Sequence, residues 1–389
     1  MLSRLSQSIE PFHVMEIVKQ ADQLQQQGRD VIHLSIGEPD FPLPEPVAQA
    51  LTQAIGAGKT RYTAALGLQE LRETIAHFYD SRFGATVSPG QVVITSGAST
   101  GLMYACLALI NPGDEVLLCD PGYPCNKTFV QTAGGVVRTI QVSEDNNFQP
   151  TLAEVQEAWT PKTQGILLAS PSNPTGTRIS SNVLNDIVDW VATQGGFIIM
   201  DEIYQLLCYG SQPRTLLSQS PSGQTRDHCV VINSFSKYFG MTGLRLGWMV
   251  VPEALLTPIE KLAQNLNICP STPAQWAALA CFKQETLDIC EARRAAFGNR
   301  REFLLRELPN VGLHAGSNPD GAFYVYAHAP YGSSQYCSDL LQTQAVCTVP
   351  GKDFSQKEGE AMFRISYANS LERIEQALQR MGQFNCREI

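Results

Sequence analysis

Asn233-Ser234-Phe235-Ser236-Lys237 follows directly on the apolar run Val230-Val231-Ile232. Such a run of β-branched residues predicts a buried strand, so the serines and the lysine lie at its end. Arg245 comes eight residues after Lys237. An amine that is held beside two hydroxyl groups and a permanent cation suits a Schiff-base nucleophile next to a bound phosphate.

Pyridoxal phosphate (PLP) carries both an aldehyde and a phosphate, so this stretch predicts that the chain binds PLP as a cofactor. The pyridine nitrogen of PLP must stay protonated, which requires a carboxylate in contact with it. Asp201 ends the apolar strand Phe197-Ile198-Ile199-Met200, where a buried acid needs a cationic partner. Taken alone, an aspartate at a strand end is more often a helix cap or part of a surface turn.

Two candidate donors to the phenolic oxygen of the cofactor also follow predicted strands. Tyr204 lies three residues after Asp201, and Asn173 follows the strand Ile166-Leu167-Leu168. Both positions are at the C-terminal ends of strands, where open α/β sheets bind their ligands. Asn173 also begins the sequence Asn-Pro-Thr-Gly, which predicts a turn whatever its function.

The phosphate group needs several donors. Gly97-Ala98-Ser99 joins a predicted strand to a predicted helix, whose first N–H groups are unpaired and carry a partial positive charge. Ser234, Ser236 and Arg245 add hydroxyl groups and a permanent cation. Tyr123 follows a further strand and is a candidate to cover the face of the ring, although a packing role is an equal alternative for a tyrosine there.

The carboxylate of an amino-acid substrate needs a cation. Arg364 interrupts the otherwise apolar strand Met362-Phe363-Arg364-Ile365-Ser366. An arginine in such a strand either lies on an exposed face or binds an anion through its planar fork. The exposed position is the commoner outcome for a single arginine.

The strand and helix pattern predicts an α/β fold. Short apolar runs alternate with helical segments from residue 92 to 250, which is typical of a mostly parallel sheet with helices on both faces. The run Val136-Val137 is among the predicted buried strands. After about residue 285 a long charged helix is followed by alternating strands and helices, so we expect a large domain over residues 46–284 and a smaller α+β domain.

The composition is typical of a soluble globular protein, with 43% hydrophobic and 17% charged residues. The net charge of −9 argues against nucleic-acid binding. No stretch approaches the roughly 20 apolar residues of a membrane span, and residues 1–6 lack the apolar core of a signal peptide. The eleven cysteines and six histidines show no metal-ligand spacing, so we expect reduced thiols, no metal site and a cytoplasmic protein.

Together these motifs resemble the class I/II aminotransferases of PLP fold type I, over nearly the whole chain. The family signature Ser-x-Ser-Lys, with an arginine eight residues later, is present at residues 234–245, and Asn-Pro-Thr-Gly precedes Asp-Glu-x-Tyr by 28 residues. The stretch Gly37-Glu38-Pro39-Asp40-Phe41 is similar to the N-terminal substrate loop of the family. Tyr62 is similar to the tyrosine that reaches the phosphate of the neighbouring subunit, and Arg364 to the arginine that holds the substrate α-carboxylate.

The resemblance implies a homodimer with active sites at the subunit interface and a small domain built from residues 1–45 and 285–389. It implies that Lys237 forms the internal aldimine and then moves the substrate proton, in a ping-pong transfer of the amino group from a 2-amino acid to a 2-oxo acid such as 2-oxoglutarate or pyruvate. Asp201 would keep the ring protonated, and Tyr204 and Asn173 would tune the imine through the phenolic oxygen. Gly37 and Asn173 would contact the substrate.

Two other activities are compatible with parts of this pattern. Carbon–sulfur β-lyases have the same fold and lysine, and the sequence separates them poorly from aminotransferases. PLP-binding transcription regulators of this fold carry an N-terminal DNA-binding domain, and Gly37 of the substrate loop comes too early in the chain to leave room for one. We therefore expect an enzyme, with a β-lyase as the alternative to an aminotransferase.

Overall fold

A computed structural model describes residues 2–9, 13–210, 212–219 and 225–388. The predicted domain ranges include residues 1, 10–12, 211, 220–224 and 389, which lie outside the described residues. The helices are α1 (Arg4–Ser8), α2 (His13–Gln26), α3 (Glu45–Gly56), α4 (Gln69–Phe83), α5 (Ala98–Leu109), α6 (Pro124–Thr132), α7 (Leu152–Ala158), α8 (Ser181–Thr193), α9 (Leu216–Gln219), α10 (Glu253–Leu266), α11 (Thr272–Ala278), α12 (Gln284–Glu307), α13 (Ser333–Gln344) and α14 (Leu371–Glu388). The strands are β1 (Ile32–His33), β2 (Val92–Thr95), β3 (Glu115–Asp120), β4 (Val136–Gln141), β5 (Thr163–Ala169), β6 (Phe197–Asp201), β7 (Cys229–Ser234), β8 (Gly247–Val250), β9 (Tyr324–His328), β10 (Val346–Cys347), β11 (Val349–Pro350) and β12 (Met362–Ser366).

Seven strands form one mixed sheet in the order β2-β8-β7-β6-β5-β3-β4. The neighbours from β7 to β4 pair in parallel, whereas β8 is antiparallel to both β2 and β7. Helices connect most of the parallel strands, as crossover connections between parallel strands require. The predicted α/β fold with a mostly parallel mixed sheet is therefore confirmed.

The central strands are apolar on both faces of this sheet. Ile166 and Leu168 of β5 pack in one apolar cluster, whereas Leu167 packs in a second cluster on the opposite face. Leu184 of α8 belongs to the first cluster, and Leu102 of α5 belongs to the second. Each fully buried leucine or isoleucine contributes about 1.5–3 kcal/mol, so helices on both faces are needed to keep the sheet stable.

The sequence prediction was wrong about the burial of one strand. Val136-Val137 forms part of β4, but β4 is the edge strand of the sheet, and Val136 is 49% exposed. An apolar run predicts a strand from its β-branched residues and does not distinguish an edge from a centre.

Two small sheets complete the fold. β12 lies between β11 and β9 in an antiparallel sheet, and β1 pairs in parallel with β10. The backbone N–H of Ser366 in β12 also donates to the carbonyl of Leu34, at 2.7 Å. The N-terminal segment is thus hydrogen-bonded to the C-terminal part of the chain. Across the described residues, every helix is too short or too polar to cross a lipid bilayer.

Candidate active site

Three parallel strands bring the predicted ring-binding residues to one edge of the central sheet. Asp201 is the last residue of β6, and it pairs with Ala169 of β5 and Ile232 of β7. Asn173 lies four residues beyond Ala169, and Lys237 lies five residues beyond Ile232. The register of the sheet therefore collects residues from distant parts of the chain, at the C-terminal strand ends where this fold class binds ligands.

The predicted phosphate-binding residues meet at the same edge of the sheet. Gly247 of β8 pairs with Thr95 of β2 and with Ser234 of β7. Gly97 precedes α5 with a φ of +88°, and a β-carbon on Gly97 would lie 2.8 Å from Nη2 of Arg245. Glycine is required here because a side chain would strain the backbone and displace the guanidinium from the start of the helix.

Hydroxyl groups and helix N–H groups surround this position. The backbone N–H of Ser236 donates to Oγ of Ser234 at 3.0 Å, and both serines are buried. In α5, Ala98 is half-buried and Ser99 is exposed. The guanidinium of Arg245 donates to the carbonyl of Thr242 at 3.0 Å. The start of α5, two serines and an arginine together offer the donors that an anion needs.

The amine of Lys237 is held inside the site. Its Nζ donates to the carbonyl of Gly37 at 2.6 Å and lies 5.9 Å from the centroid of the Tyr204 ring. Burial lowers the pKa of Lys237 to about 8. The positive charges of Arg245 and Arg364 also lower this pKa, whereas two nearby carboxylates raise it. At neutral pH this amine therefore loses its proton far more easily than an exposed lysine does.

The carboxylate of Asp201 is buried without a cation in contact. Its Oδ1 accepts from the backbone N–H of Ile203 at 3.2 Å, and within the described ranges it forms no salt bridge. Burial raises the pKa of Asp201 to about 6, although the Ile203 hydrogen bond and the charge of Lys237 oppose this shift. Burial excludes a surface turn, whereas the bond to Ile203 is of the kind that a capping aspartate makes. A buried acid of this kind is stabilised by a cationic ligand.

Arg364 is buried, so the exposed alternative is wrong. Its Nη1 donates to Oδ1 of Asn173 at 2.9 Å, and its Nη2 donates to the carbonyl of Ser35 at 2.6 Å. The guanidinium carbon lies 4.4 Å from the ring centroid of Tyr324 and 4.9 Å from that of Phe354. Among the described residues, Nε of Arg364 has no hydrogen-bond partner. The buried guanidinium therefore has one donor that no described residue satisfies.

The three predicted tyrosines lie in different environments. Tyr204 is buried, and its hydroxyl is 2.8 Å from the hydroxyl of Tyr324. Tyr123 directly precedes α6 and is half-buried, and the charge of Asp201 is among the influences that raise its pKa after the larger effect of burial. Tyr62 lies apart from both, because it is 77% exposed and lines a separate surface depression with Trp276.

The family model of the aminotransferases of class I and II matches residues 29–381. The chain belongs to this family. A valine–pyruvate aminotransferase from Mycobacterium tuberculosis is 39% identical to this aminotransferase over 98% of the chain and 97% of its own length. An aspartate aminotransferase from Thermotoga maritima is 35% identical over 99% of each chain. The crystal structure of an aminotransferase from Mycobacterium tuberculosis matches with a TM-score of 0.94 and 37% identity, covering 100% of this chain and 99% of that one.

These matches make the protein a PLP-dependent aminotransferase and do not favour the carbon–sulfur β-lyase alternative. The donor set of the site fits PLP at each of its polar groups. The buried carboxylate of Asp201, which forms no salt bridge with any described residue, suits the pyridinium nitrogen. The start of α5 with its serines and Arg245 suits the phosphate, and the amine of Lys237 suits the aldehyde.

Two aromatic contacts of this aminotransferase were not predicted from the sequence. Tyr324 and Phe354 both contact the guanidinium of Arg364, and Tyr324 also contacts Tyr204. The sequence places Tyr324 at the start of an aromatic strand. This position predicts that the side chain is buried, but it does not predict which residue the side chain contacts. The fold joins Tyr324 to Tyr204 across 120 residues of sequence.

Proposed function

We propose that this aminotransferase moves the amino group of a 2-amino acid to a 2-oxo acid, pyruvate or 2-oxoglutarate, in two successive half-reactions. The observation that carries the proposal is the buried amine of Lys237, whose pKa is lowered to about 8. The charges of Asp201 and Arg364 both act on this amine. The relatives support the choice of substrates, since one is named a valine–pyruvate aminotransferase and another an aspartate aminotransferase.

When bound, PLP supplies an aldehyde that takes up the amino group and a protonated ring that withdraws electrons from it. Lys237 would hold the cofactor through its aldehyde, and its Nζ, once free, would take the proton from the substrate α-carbon. Its low pKa favours this role, because a general base must be unprotonated near the working pH. Asp201 holds the proton on the pyridine nitrogen, where a cation relieves the cost of burying the carboxylate.

The remaining cofactor residues orient the ring. Tyr204 and Asn173 donate to the phenolic oxygen, and Tyr123 covers one face of the ring. The N–H groups of Gly97, Ala98 and Ser99 bind the phosphate, together with the hydroxyls of Ser234 and Ser236 and the guanidinium of Arg245. The short distance between the start of α5 and Arg245 supports this assignment.

Arg364 and Asn173 bind the α-carboxylate of the substrate, and Gly37 closes the site beside it. The hydrogen bond between Arg364 and Asn173 fixes the guanidinium beside the proposed carboxylate position. A charge-assisted hydrogen bond of this kind contributes about 1.5–3 kcal/mol. The carbonyl of Gly37 would lose its hydrogen bond from Lys237 if the lysine held the cofactor.

The enzyme acts as a homodimer in which Tyr62 reaches the phosphate bound by the neighbouring subunit. The segments around Tyr62 and Ile268 support this proposal, because both residues are large, apolar and more than half exposed. The hydroxyl of Thr272 donates to the carbonyl of Arg61 at 2.6 Å, which joins the two segments into one surface. Ile268 also has a φ of +64°, a strained conformation that is typical of functional positions.

Mixed dimers test the role of Tyr62. Lys237→Ala and Tyr62→Phe subunits should each give impaired homodimers. In a mixed dimer, the site with an intact Lys237 receives an intact Tyr62 from its partner, so an equal mixture should recover about a quarter of the wild-type sites. Recovery of none would mean that Tyr62 acts within its own subunit, and a monomer in light scattering would exclude the dimer.

The domain division and the cellular compartment belong to the same proposal. Residues 46–284 form the large domain, and residues 1–45 join residues 285–389 in the small one. The parallel pairing of β1 with β10 supports this division. A cytoplasmic location is supported by the eleven cysteines, which are all free thiols.

Trapping the cofactor tests the central assignment. Borohydride treatment of the purified yellow protein should fix the cofactor on Lys237, as peptide mapping would report. Lys237→Ala should bind PLP without transamination, whereas the control Lys261→Ala, at an exposed position on α10, should remain fully active. Label on another side chain, or substantial turnover by Lys237→Ala, would refute the proposal. A panel of amino donors with pyruvate and 2-oxoglutarate identifies the substrates.

A further inference from the structure

Tyr324 is a buried tyrosine to which the proposed reaction gives no role. It begins β9 and is 1% exposed, and its hydroxyl lies 2.8 Å from the hydroxyl of Tyr204. Buried hydroxyl groups are hydrogen-bonded to avoid the cost of desolvation, so this pair satisfies both residues. Tyr324 thus contacts a residue that is proposed to donate to the cofactor.

The ring of Tyr324 also contacts the proposed substrate arginine. The guanidinium carbon of Arg364 lies 4.4 Å from the ring centroid, which is a cation–π distance. The hydroxyl of Tyr324 lies 2.6 Å from where a β-carbon of Gly37 would stand. The side chain therefore fills the space between Arg364, Gly37 and Tyr204.

The chemistry of the two hydroxyl groups sets the direction of their hydrogen bond. Burial raises the pKa of both tyrosines, and it raises that of Tyr204 well above the ordinary value. The positive charge of Arg364 lowers the pKa of both tyrosines against this effect. Each hydroxyl group has one hydrogen, so when Tyr204 donates its own to the cofactor, Tyr324 must donate to Tyr204.

A hydroxyl group that accepts one hydrogen bond still has its own hydrogen to donate. Among the described residues, the Tyr204 hydroxyl forms its hydrogen bond with Tyr324. We infer that Tyr324 is a positioning residue: its hydroxyl donates to that of Tyr204 and directs the Tyr204 hydrogen toward the phenolic oxygen of bound PLP. This inference rests on the proposed role of Tyr204.

The inference predicts a change in the colour of the holoenzyme with pH. A donor to the phenolic oxygen stabilises its deprotonated form and lowers the pH at which the bound cofactor loses its proton. In Tyr324→Phe, Tyr204 becomes a weaker and less oriented donor. The midpoint of the visible-absorbance titration should therefore rise by roughly 0.3 to 1 pH unit, the effect of about one neutral hydrogen bond.

A double-mutant cycle separates this role from simple packing. If Tyr324 acts through Tyr204, then adding Tyr324→Phe to Tyr204→Phe should leave the midpoint unchanged. The control Tyr336→Phe removes another buried tyrosine hydroxyl, which bonds to Asn385, and should not move the midpoint. An unchanged midpoint in Tyr324→Phe, or an equal rise in the Tyr204→Phe background, would overturn the inference.

A second readout separates the hydroxyl of Tyr324 from its ring. Tyr324→Phe keeps the ring under Arg364 and should leave the KM of amino acids within about twofold, whereas Tyr324→Leu removes the cation–π contact and should raise KM severalfold. A KM increase of equal size in both variants would contradict the division of roles. A holoenzyme with no visible imine band would contradict the proposed role of Lys237 and the inference with it, whereas an unchanged midpoint in Tyr324→Phe overturns the inference alone.

Discussion

Replacing Asp201 with asparagine should stabilise the cofactor-free protein at alkaline pH. Burial raises the pKa of Asp201 from 3.8 to about 6. The folded protein therefore holds this proton more tightly than the unfolded chain, and the favourable contribution at low pH is lost as pH rises from about 4 to about 6. At 1.36 kcal/mol for each pKa unit, the ionised carboxylate costs about 3 kcal/mol above that window.

Asparagine has nearly the same shape and no charge, and its Oδ1 can still accept from the backbone N–H of Ile203. We expect Asp201→Asn to gain less than about 1 kcal/mol in the free energy of unfolding at pH 4 and about 3 kcal/mol at pH 8. Denaturant titrations of the cofactor-free wild type and variant at the two pH values measure this difference.

The control for this experiment is Asp353→Asn. The Asp353 carboxylate accepts from the backbone N–H groups of His13 at 3.0 Å and Val14 at 2.6 Å, so an amide there must turn its NH₂ group toward a donor. Burial raises the pKa of Asp353 as well, so both variants remove a buried charge, and the lost hydrogen bond should leave Asp353→Asn less stable than Asp201→Asn at both pH values. In the holoenzyme, Asp201→Asn should weaken PLP binding at least tenfold, because the ring nitrogen loses its charged partner. A loss of stability at pH 8, or unchanged PLP affinity, would refute the reasoning about Asp201.

Three further predictions concern the amine, the substrate cation and the phosphate site. In the cofactor-free protein, an amine-reactive reagent should modify Lys237 with a midpoint near pH 8, and a midpoint near the ordinary 10.5 would contradict its burial. Arg364→Lys should raise the KM of every amino acid at least tenfold with PLP affinity unchanged, because a point charge replaces a planar fork; equal kinetics would remove Arg364 from the site. Gly97→Ala should weaken PLP binding about tenfold, because the added methyl group displaces Arg245, whereas Gly58→Ala, at a φ of +70° with open space around it, should bind PLP normally.

The strand-end residues of the site were predictable from the sequence because their signals are local. An apolar run predicts each strand. Asp201 follows such a run directly, and Asn173 and Lys237 each lie five residues after one. Parallel strands that lie side by side end at one edge of the sheet, so three local predictions together gave a site.

The environment of single residues was not predictable, because it depends on contacts between distant segments. Arg364 in an apolar strand gave the same sequence signal whether exposed or buried, and its burial results from Asn173, Ser35 and two aromatic rings in the folded chain. The contact of Tyr324 with Tyr204 and the edge position of β4 have the same origin, since neither is encoded within a short window of sequence.

The residues proposed to bind the cofactor and the arginine proposed to bind the substrate lie on separate sheets. Asp201 and Ser234 belong to the seven-stranded sheet, whereas Arg364 belongs to the three-stranded sheet. A small rotation of one sheet relative to the other would therefore change the distance between the cofactor site and the substrate arginine, and it would leave the contacts within each sheet unchanged. Related enzymes can therefore accept substrates of different length through changes where the two sheets meet, while the residues proposed to bind the cofactor stay the same.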